Sequence, residues 1–315
     1  MLRVLTYHRV ARPDDRPWLT PGLISATPEV FAKQVDYLAR HYRVVSLEEV
    51  IYANRRAARL PDRAVLITFD DAYRDFAEVA WPILRKYSLP VTLFVPTAYP
   101  DRPDHTFWWD RIHQALMRTS HVSVPHGWPI GYLPLRTPVQ REVAARRIRD
   151  YVKRLPHTSA MASVDWLCEQ LRWQPPVGHA VLSWQELREL AEQGVSLAAH
   201  SQTHPLLTKI STDQLRREIR GSLDDLQREV GYVPPAFCYP AGAFDERAVA
   251  ILRSLGVEIA FTTRAGANRL GKQDPLRLLR TNITQRTGPF LFSLRLLPSV
   301  AALEAWRRRP VRRQA

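Results

Sequence analysis

At 315 residues the chain has material for one large α/β domain or two smaller ones, and its 45% hydrophobic and 24% charged residues exclude an intrinsically disordered protein. A formal net charge of +14 points to an anionic partner such as nucleic acid, an acidic membrane face or an acidic polymer. Much of it is arginine spread along helices (Arg141, Arg146, Arg147, Arg149), which reads first as a solvated face. The two cysteines, Cys168 and Cys238, have no CxxC spacing, so neither a zinc ribbon nor a disulfide framework is indicated and a reducing compartment fits.

Leu2 to Tyr7 reads as a short strand stopping at His8, followed by a helix from Pro28 to about His41 that Thr27 caps. The segment RVVS is a second strand and Leu47 to Ala58 a second helix. The third strand, Ala64 to Phe69, ends on Asp70 and Asp71, and a helix is expected from Ala72 to Tyr87. The apolar strand PVTLFV follows. From about 98 to 181 the alternation breaks into a mainly helical insertion, with helices at WWDRIHQALMR, Val139 to Leu155 and Ser159 to Leu171. It then resumes with helix Ser183 to Gln193, strand GVSLAAH, helix Thr212 to Val230, strand AFCYP, helix Asp245 to Leu255, strand VEIAFTT and a last strand near Leu276 to Ile283. About eight short apolar strands alternating with helices argue for a parallel sheet or barrel.

Two polar clusters follow strands. Adjacent aspartates repel, and although aspartate is a common helix N-cap, capping needs only one of them. The second cluster, HSQTH, sets His200 and His204 four residues apart after another apolar strand. Residues just past the carboxyl ends of parallel strands gather at one face, where active sites are built. Two histidines and one carboxylate would give a divalent cation three protein ligands and leave a position for water.

On these residues the sequence resembles the polysaccharide deacetylases with the NodB-homology domain, carbohydrate esterase family 4. Thr68-Phe69-Asp70-Asp71 matches the T-F-D-D signature and His200-Ser201-Gln202-Thr203-His204 the H-[ST]-x-x-H signature. Pro205 and LSWQELRELAEQGV are also typical, so the likeness runs from about Leu2 to Ile283. It implies a distorted (β/α)7-8 barrel at 1–288, interrupted by the helical insertion, with 289–315 as an amphipathic, arginine-rich tail. It further implies that Asp71, His200 and His204 bind a metal, most commonly Zn2+, and that Asp70 is the base that deprotonates water.

Two motifs depart from the family. AFCYPAGAFD keeps Pro240-Ala241-Gly242 but lacks the arginine of R-x-P-Y-G. The Ala241 N–H remains available to an oxyanion, and Arg280 near the last strand stands either as the replacement or in an ordinary ion pair. The C-terminal L-x-H motif is also absent, since His204 is the last histidine. A subgroup resembling a circular permutation, that of poly-N-acetylglucosamine export, carries this histidine at the N-terminus, and Leu5-Thr6-Tyr7-His8 fits it; His8 is then the general acid. Tyr239 and Phe244, with Pro240 and Gly242, are expected to shape a sugar pocket, with core packing as the alternative. Trp108 and Trp109 either stack on sugars or pack a helix. His105, His113, His121, His126, His157 and His179 receive no role.

The expected function is metal-dependent removal of the N-acetyl group from N-acetylhexosamine units of a polysaccharide or lipid-linked glycan. The alternatives are a catalytically weak carbohydrate-binding relative and a deacetylase of O-acetyl esters. Nucleic-acid binding rests on charge alone and is not expected. MLRVLTYHRV lacks the features of a signal peptide and no run approaches ~20 apolar residues, so a cytoplasmic location is expected. The apolar residues Phe290, Leu291, Leu294, Leu296, Leu297, Val300 and Leu303, before Arg307, Arg308, Arg309, Arg312 and Arg313, fit two placements: against an anionic membrane, or as the last helix of the barrel.

Overall fold

Alternation along the third predicted strand sets the frame, because successive side chains of a strand point to opposite faces. Val65, Ile67 and Phe69 pack outward with the surrounding helices, while Ala64 and Leu66 join a separate inner cluster with Val4, Phe94, Ala198, Ile259 and Leu278. Thr68 and Asp70 continue that inner face to the strand's end.

The computed structural model describes residues 1–315 except 103, 176–179 and 298–315. Its strands are β1 (Arg3–Tyr7), β2 (Arg9–Val10), β3 (Ile24–Ala26), β4 (Arg43–Val44), β5 (Ala64–Asp70), β6 (Thr92–Val95), β7 (Ser196–Ala199), β8 (Ala236–Cys238), β9 (Ile259–Phe261) and β10 (Thr281–Asn282). The order β10-β1-β5-β6-β7-β8-β9 is parallel throughout; β4 adds to the start of β5, and β2 and β3 pair separately. The curled sheet closes on itself through Leu278, which bridges Phe261, accepts from Thr262 N at 2.8 Å and donates to Ala260 O at 2.8 Å just before β10 pairs with β1. A distorted parallel α/β barrel results.

Local chemistry accounts for the helix ends. Thr27 accepts from Val30 N, Ser46–Glu49 and Ser183–Glu186 form capping boxes, and Gly231 ends helix Thr212–Val230 in the left-handed conformation. The insertion has its own apolar core, built around Ile112, Leu116, Ile148 and Leu167 from helices Trp108–Arg118, Pro138–Val152 and His157–Gln170, with Leu135 from the loop before the second of them.

Three expectations need correction. The helix after the aspartates starts at Phe76, as a π turn running into Trp81–Lys86, because Asp71 and Ala72 turn through positive φ (74° and 50°). Leu182 N donates to Ala72 O and Arg74 N to Ala180 O, so the end of the insertion holds this turn. Neither aspartate is therefore a helix cap. The last strand is shortened to Thr281–Asn282, and strands β2 and β3 were not foreseen. Of the tail, helix Pro289–Arg295 places Phe292 and Leu296 in the barrel's outer core, while Phe290 is 81% exposed. Val300, Leu303 and the arginines after them lie outside the described residues. No described helix is long and apolar enough to cross a membrane.

Candidate metal centre and active site

Asp70 and Asp71 share a strand end but not an environment. Asp70 is the last inward residue of β5, 2% exposed, and receives both terminal guanidinium nitrogens of Arg280 at 2.8 Å. Arg280 is wholly buried inside the barrel; its Nε donates to Thr262 O at 2.8 Å and its guanidinium lies 5.9 Å from the Phe94 ring centroid. Burial alone would raise the pKa of Asp70, but Arg280, through charge and hydrogen bonds, with His200 and His8 beside it, holds the carboxyl well below the usual range. His8 Nε2 stands 4.0 Å from Asp70 Oδ2, and burial keeps its imidazole pKa below the ordinary value.

Asp71, swung off the strand by its positive φ, faces the two histidines instead. His200 Nε2 is 3.6 Å and His204 Nε2 3.4 Å from Asp71 Oδ1, and that oxygen has no hydrogen-bond partner. Burial first, then Asp70 and Asp110, push the Asp71 carboxyl well above its ordinary pKa. His200 Nδ1 lies 2.7 Å from Cys238 O, so it carries the proton and leaves the Nε2 lone pair directed inward. Burial lowers the His200 pKa to about 4, and burial with His200 lowers that of His204 well below the ordinary imidazole value.

These features fit a cation. Ligand atoms about 2.0–2.2 Å from a tetrahedral ion stand roughly 3.4 Å apart, and the Asp71 oxygen lies 3.6 and 3.4 Å from the two imidazole nitrogens. The buried orphan oxygen of Asp71 is the acceptor such an ion would satisfy. A second cluster of possible ligands, Asp70, His200 and Cys238, is less suited. Arg280 already neutralises Asp70, and burial raises the Cys238 thiol well above its ordinary pKa.

Backbone strain marks the same place. Asp71, Ala72, Ser201, His204 and Ala241 all have φ between 50° and 74° without being glycine. The HSQTH loop is held by Thr97 N to Ser201 O, Ala98 N to Gln202 O, His204 N to Ser201 Oγ, and by buried Glu218, which accepts from Gln202 N, Thr203 N and Thr203 Oγ1.

The sequence expectations missed Glu218, whose signal was an acidic residue on the buried face of helix Thr212–Val230 between Leu215 and Ile219. They also missed a network behind His204. The Trp109 ring lies 4.9 Å from the His204 ring, Trp109 Nε1 donates to Tyr73 Oη at 3.0 Å, and Tyr73 Oη donates to fully buried Asp110 at 2.8 Å.

A cleft of about 250 Å³ joins His8, Asp70, Asp71, His200, His204 and Ala241. Of the expected sugar-contacting residues, four are not in its lining. Tyr239 is fully buried, its hydroxyl donating to Leu276 O, and stacks on Phe244 at 4.7 Å; Pro240 is buried. Phe244 in turn meets the Arg264 guanidinium at 5.1 Å. Gly242 has φ +69°, and a Cβ there would come within 2.1 Å of Thr263 Oγ1. These residues support the Ala241 turn from behind.

A parallel α/β barrel with a buried cation-fitting cluster at the carboxyl ends of its strands defines a class of site, and comparison with known proteins narrows it. The chain belongs to the polysaccharide deacetylase family, whose model matches residues 57–260, more than half of the chain. It is 34% identical over 76 residues to the poly-beta-1,6-N-acetyl-D-glucosamine N-deacetylase of Staphylococcus aureus, a stretch of 24% of this chain and 26% of that relative. It is 33% identical over 102 residues to the enzyme of that name in Staphylococcus epidermidis, covering 30% and 35%. In fold it is similar to the Streptococcus pyogenes deacetylase PplD (TM-score 0.63, 21% identity, 94% of this chain and 98% of that one) and to IcaB from Ammonifex degensii (TM-score 0.61, 20% identity, 94% and 97%). His8 and Arg280 lie outside the family-model match, at the two ends of the chain that β1 and β10 bring together.

Proposed function

We propose that the protein hydrolyses the N-acetyl group of N-acetylhexosamine units in a polysaccharide or lipid-linked glycan, with a divalent cation, best zinc, held by Asp71, His200 and His204. When bound, such a cation lowers the pKa of water and polarises the acetamide carbonyl. Asp70, kept ionised by Arg280, takes the proton of the attacking water. The Ala241 N–H donates to the carbonyl oxygen as it gains charge. His8, 4.0 Å from Asp70 and with its pKa lowered by burial, receives that proton and delivers it to the departing amine. The barrel at 1–288 would carry this chemistry and the insertion at about 98–181 one wall of the cleft.

The observation that carries the proposal is the division of labour at β5, with Asp70 committed to Arg280 and His8 and Asp71 to the histidines. Acetate release from an N-acetylglucosamine tetramer, measured with zinc and with chelator, tests it. Release that the chelator abolishes is expected; release indifferent to the chelator overturns the metal assignment. No release from the tetramer or from other N-acetylated glycans would favour a binding protein, and preference for acetyl esters would favour O-deacetylation.

A further inference from the structure

The catalytic cleft does not end at the metal ligands. Thr20, Gly22 and Arg149 line both this cleft and a neighbouring cavity of about 850 Å³. The cavity's wall is the insertion helix Pro138–Val152 on one side and the segment after β10 on the other. Cations are concentrated here. Arg146, Arg149 and Lys153 follow one another at three- and four-residue spacing, which places them along one helix face, and Arg286 stands on the opposite wall.

None of the four makes a side-chain hydrogen bond or an ion pair among the described residues. Three other arginines near the barrel mouth are matched by carboxylates: Arg9 by Asp75, Arg74 by Glu186 and Arg280 by Asp70. The opposing charges that act at the cavity are Glu142 in its lining, Asp150 beside Arg149 and buried Asp110, which reaches both Arg149 and His113. His113, also in the lining, has its pKa lowered by burial and its Nε2 engaged with Pro17 O. Asp70 and Asp71 in the adjoining cleft are committed to Arg280 and to the cation site. Arg149 is half-buried, and withdrawal from water lowers its pKa against weaker opposing pulls from Asp150 and Asp110. Unmatched guanidinium and ammonium groups converging on a cleft are the usual chemistry for binding phosphate or carboxylate oxygens.

We propose that Arg149 and Lys153, continued by Arg146 and Arg286, form an anion subsite, so that the glycan presented to the cleft carries a phosphate or carboxylate group on or next to the acetylated sugar. The inference rests on the deacetylase activity proposed above for its substrate, but the subsite itself is read by binding.

The test uses the metal-loaded protein and three ligands: the neutral N-acetylglucosamine tetramer, a tetrasaccharide alternating N-acetylglucosamine with glucuronate, and UDP-N-acetylglucosamine. Calorimetric affinities are measured at low and moderate salt for the natural sequence and for the double variants R149Q/K153Q and R146Q/R286Q, with melting temperature as the control for folding. At least one charged ligand is expected to bind about tenfold tighter than the tetramer, with an advantage that shrinks as salt rises and falls several-fold in R149Q/K153Q. Whether the glucuronate or the diphosphate ligand prevails identifies the source of the anion. Equal affinity for all three ligands, or a charge advantage surviving in both double variants, overturns the subsite. Charge-dependent binding without acetate release from any glycan would remove the deacetylase activity and leave the subsite standing.

Discussion

The barrel mouth and the helical insertion reach the same cleft by different physics. At the mouth, parallel strands end in polar residues whose positions the sheet register fixes, and each buried polar group has its own setting: Asp70 is paired with Arg280, His200 with Cys238 O, and the Asp71 oxygen is left to the cation site. The insertion packs a separate apolar core and contributes Trp109 and Asp110, which bond to the barrel's Tyr73, together with a row of unmatched cations. The contrast separates the part proposed to perform the chemistry from the part that lines the cleft beside it. Substitutions at the mouth should abolish turnover; those in the insertion should adjust it.

The largest expected effect comes from the ligands. His204→Ala leaves Asp71 with one imidazole, and acetate release should fall by about 10³-fold or more together with bound zinc, read by metal analysis. Next is Arg280→Met, which strands a buried carboxylate; chemical denaturation should show a loss of about 3–5 kcal/mol, and the double change with Asp70→Leu should restore stability but not turnover. The same pair sets an acid limit. Because Asp70 has a folded pKa below its unfolded one, its contribution is present above the ordinary carboxylate pKa of about 3.9 and is lost as pH falls through and below that value. In acid, thermal melts of the natural chain should therefore fall below those of the double variant, which has neither group of the pair.

Smaller effects lie around the insertion. Tyr73→Phe removes the hydroxyl between Trp109 and Asp110 and should cost about 1–3 kcal/mol, with a several-fold lower turnover if Trp109 positions His204. An unchanged rate at reduced stability would make the network purely structural. Asp165→Asn, breaking the exposed pair with Arg111 inside the insertion, should change stability by under about 1 kcal/mol and leave acetate release as it was.

Much of the fold was legible because its strands are short apolar runs between well-capped helices; Thr27, Ser183 and Asp245 marked helix starts to within a residue. The two polar clusters were legible for the same reason, since a charge at the end of an apolar strand has few structural uses. The turn at Asp71 and Ala72 was not, because its positive φ falls on residues other than glycine and is held by backbone bonds from the far end of the insertion, more than 100 residues on. Tyr239 and Phe244 were misplaced for a related reason. An aromatic beside a functional loop can face either way, and here both fill space beneath Ala241. Arg280 had two readings in sequence, and only the closure of the sheet through Leu278 brings it to Asp70.

The claim most exposed to contradiction is that the two adjacent aspartates do different work. Asp70→Asn and Asp71→Asn should be compared for bound zinc and for acetate release from one N-acetylated oligosaccharide. The account predicts that both variants lose activity by about 10²-fold or more, that Asp70→Asn retains its zinc and that Asp71→Asn does not. Equal zinc content in the two variants, or an active Asp70→Asn protein, would contradict it.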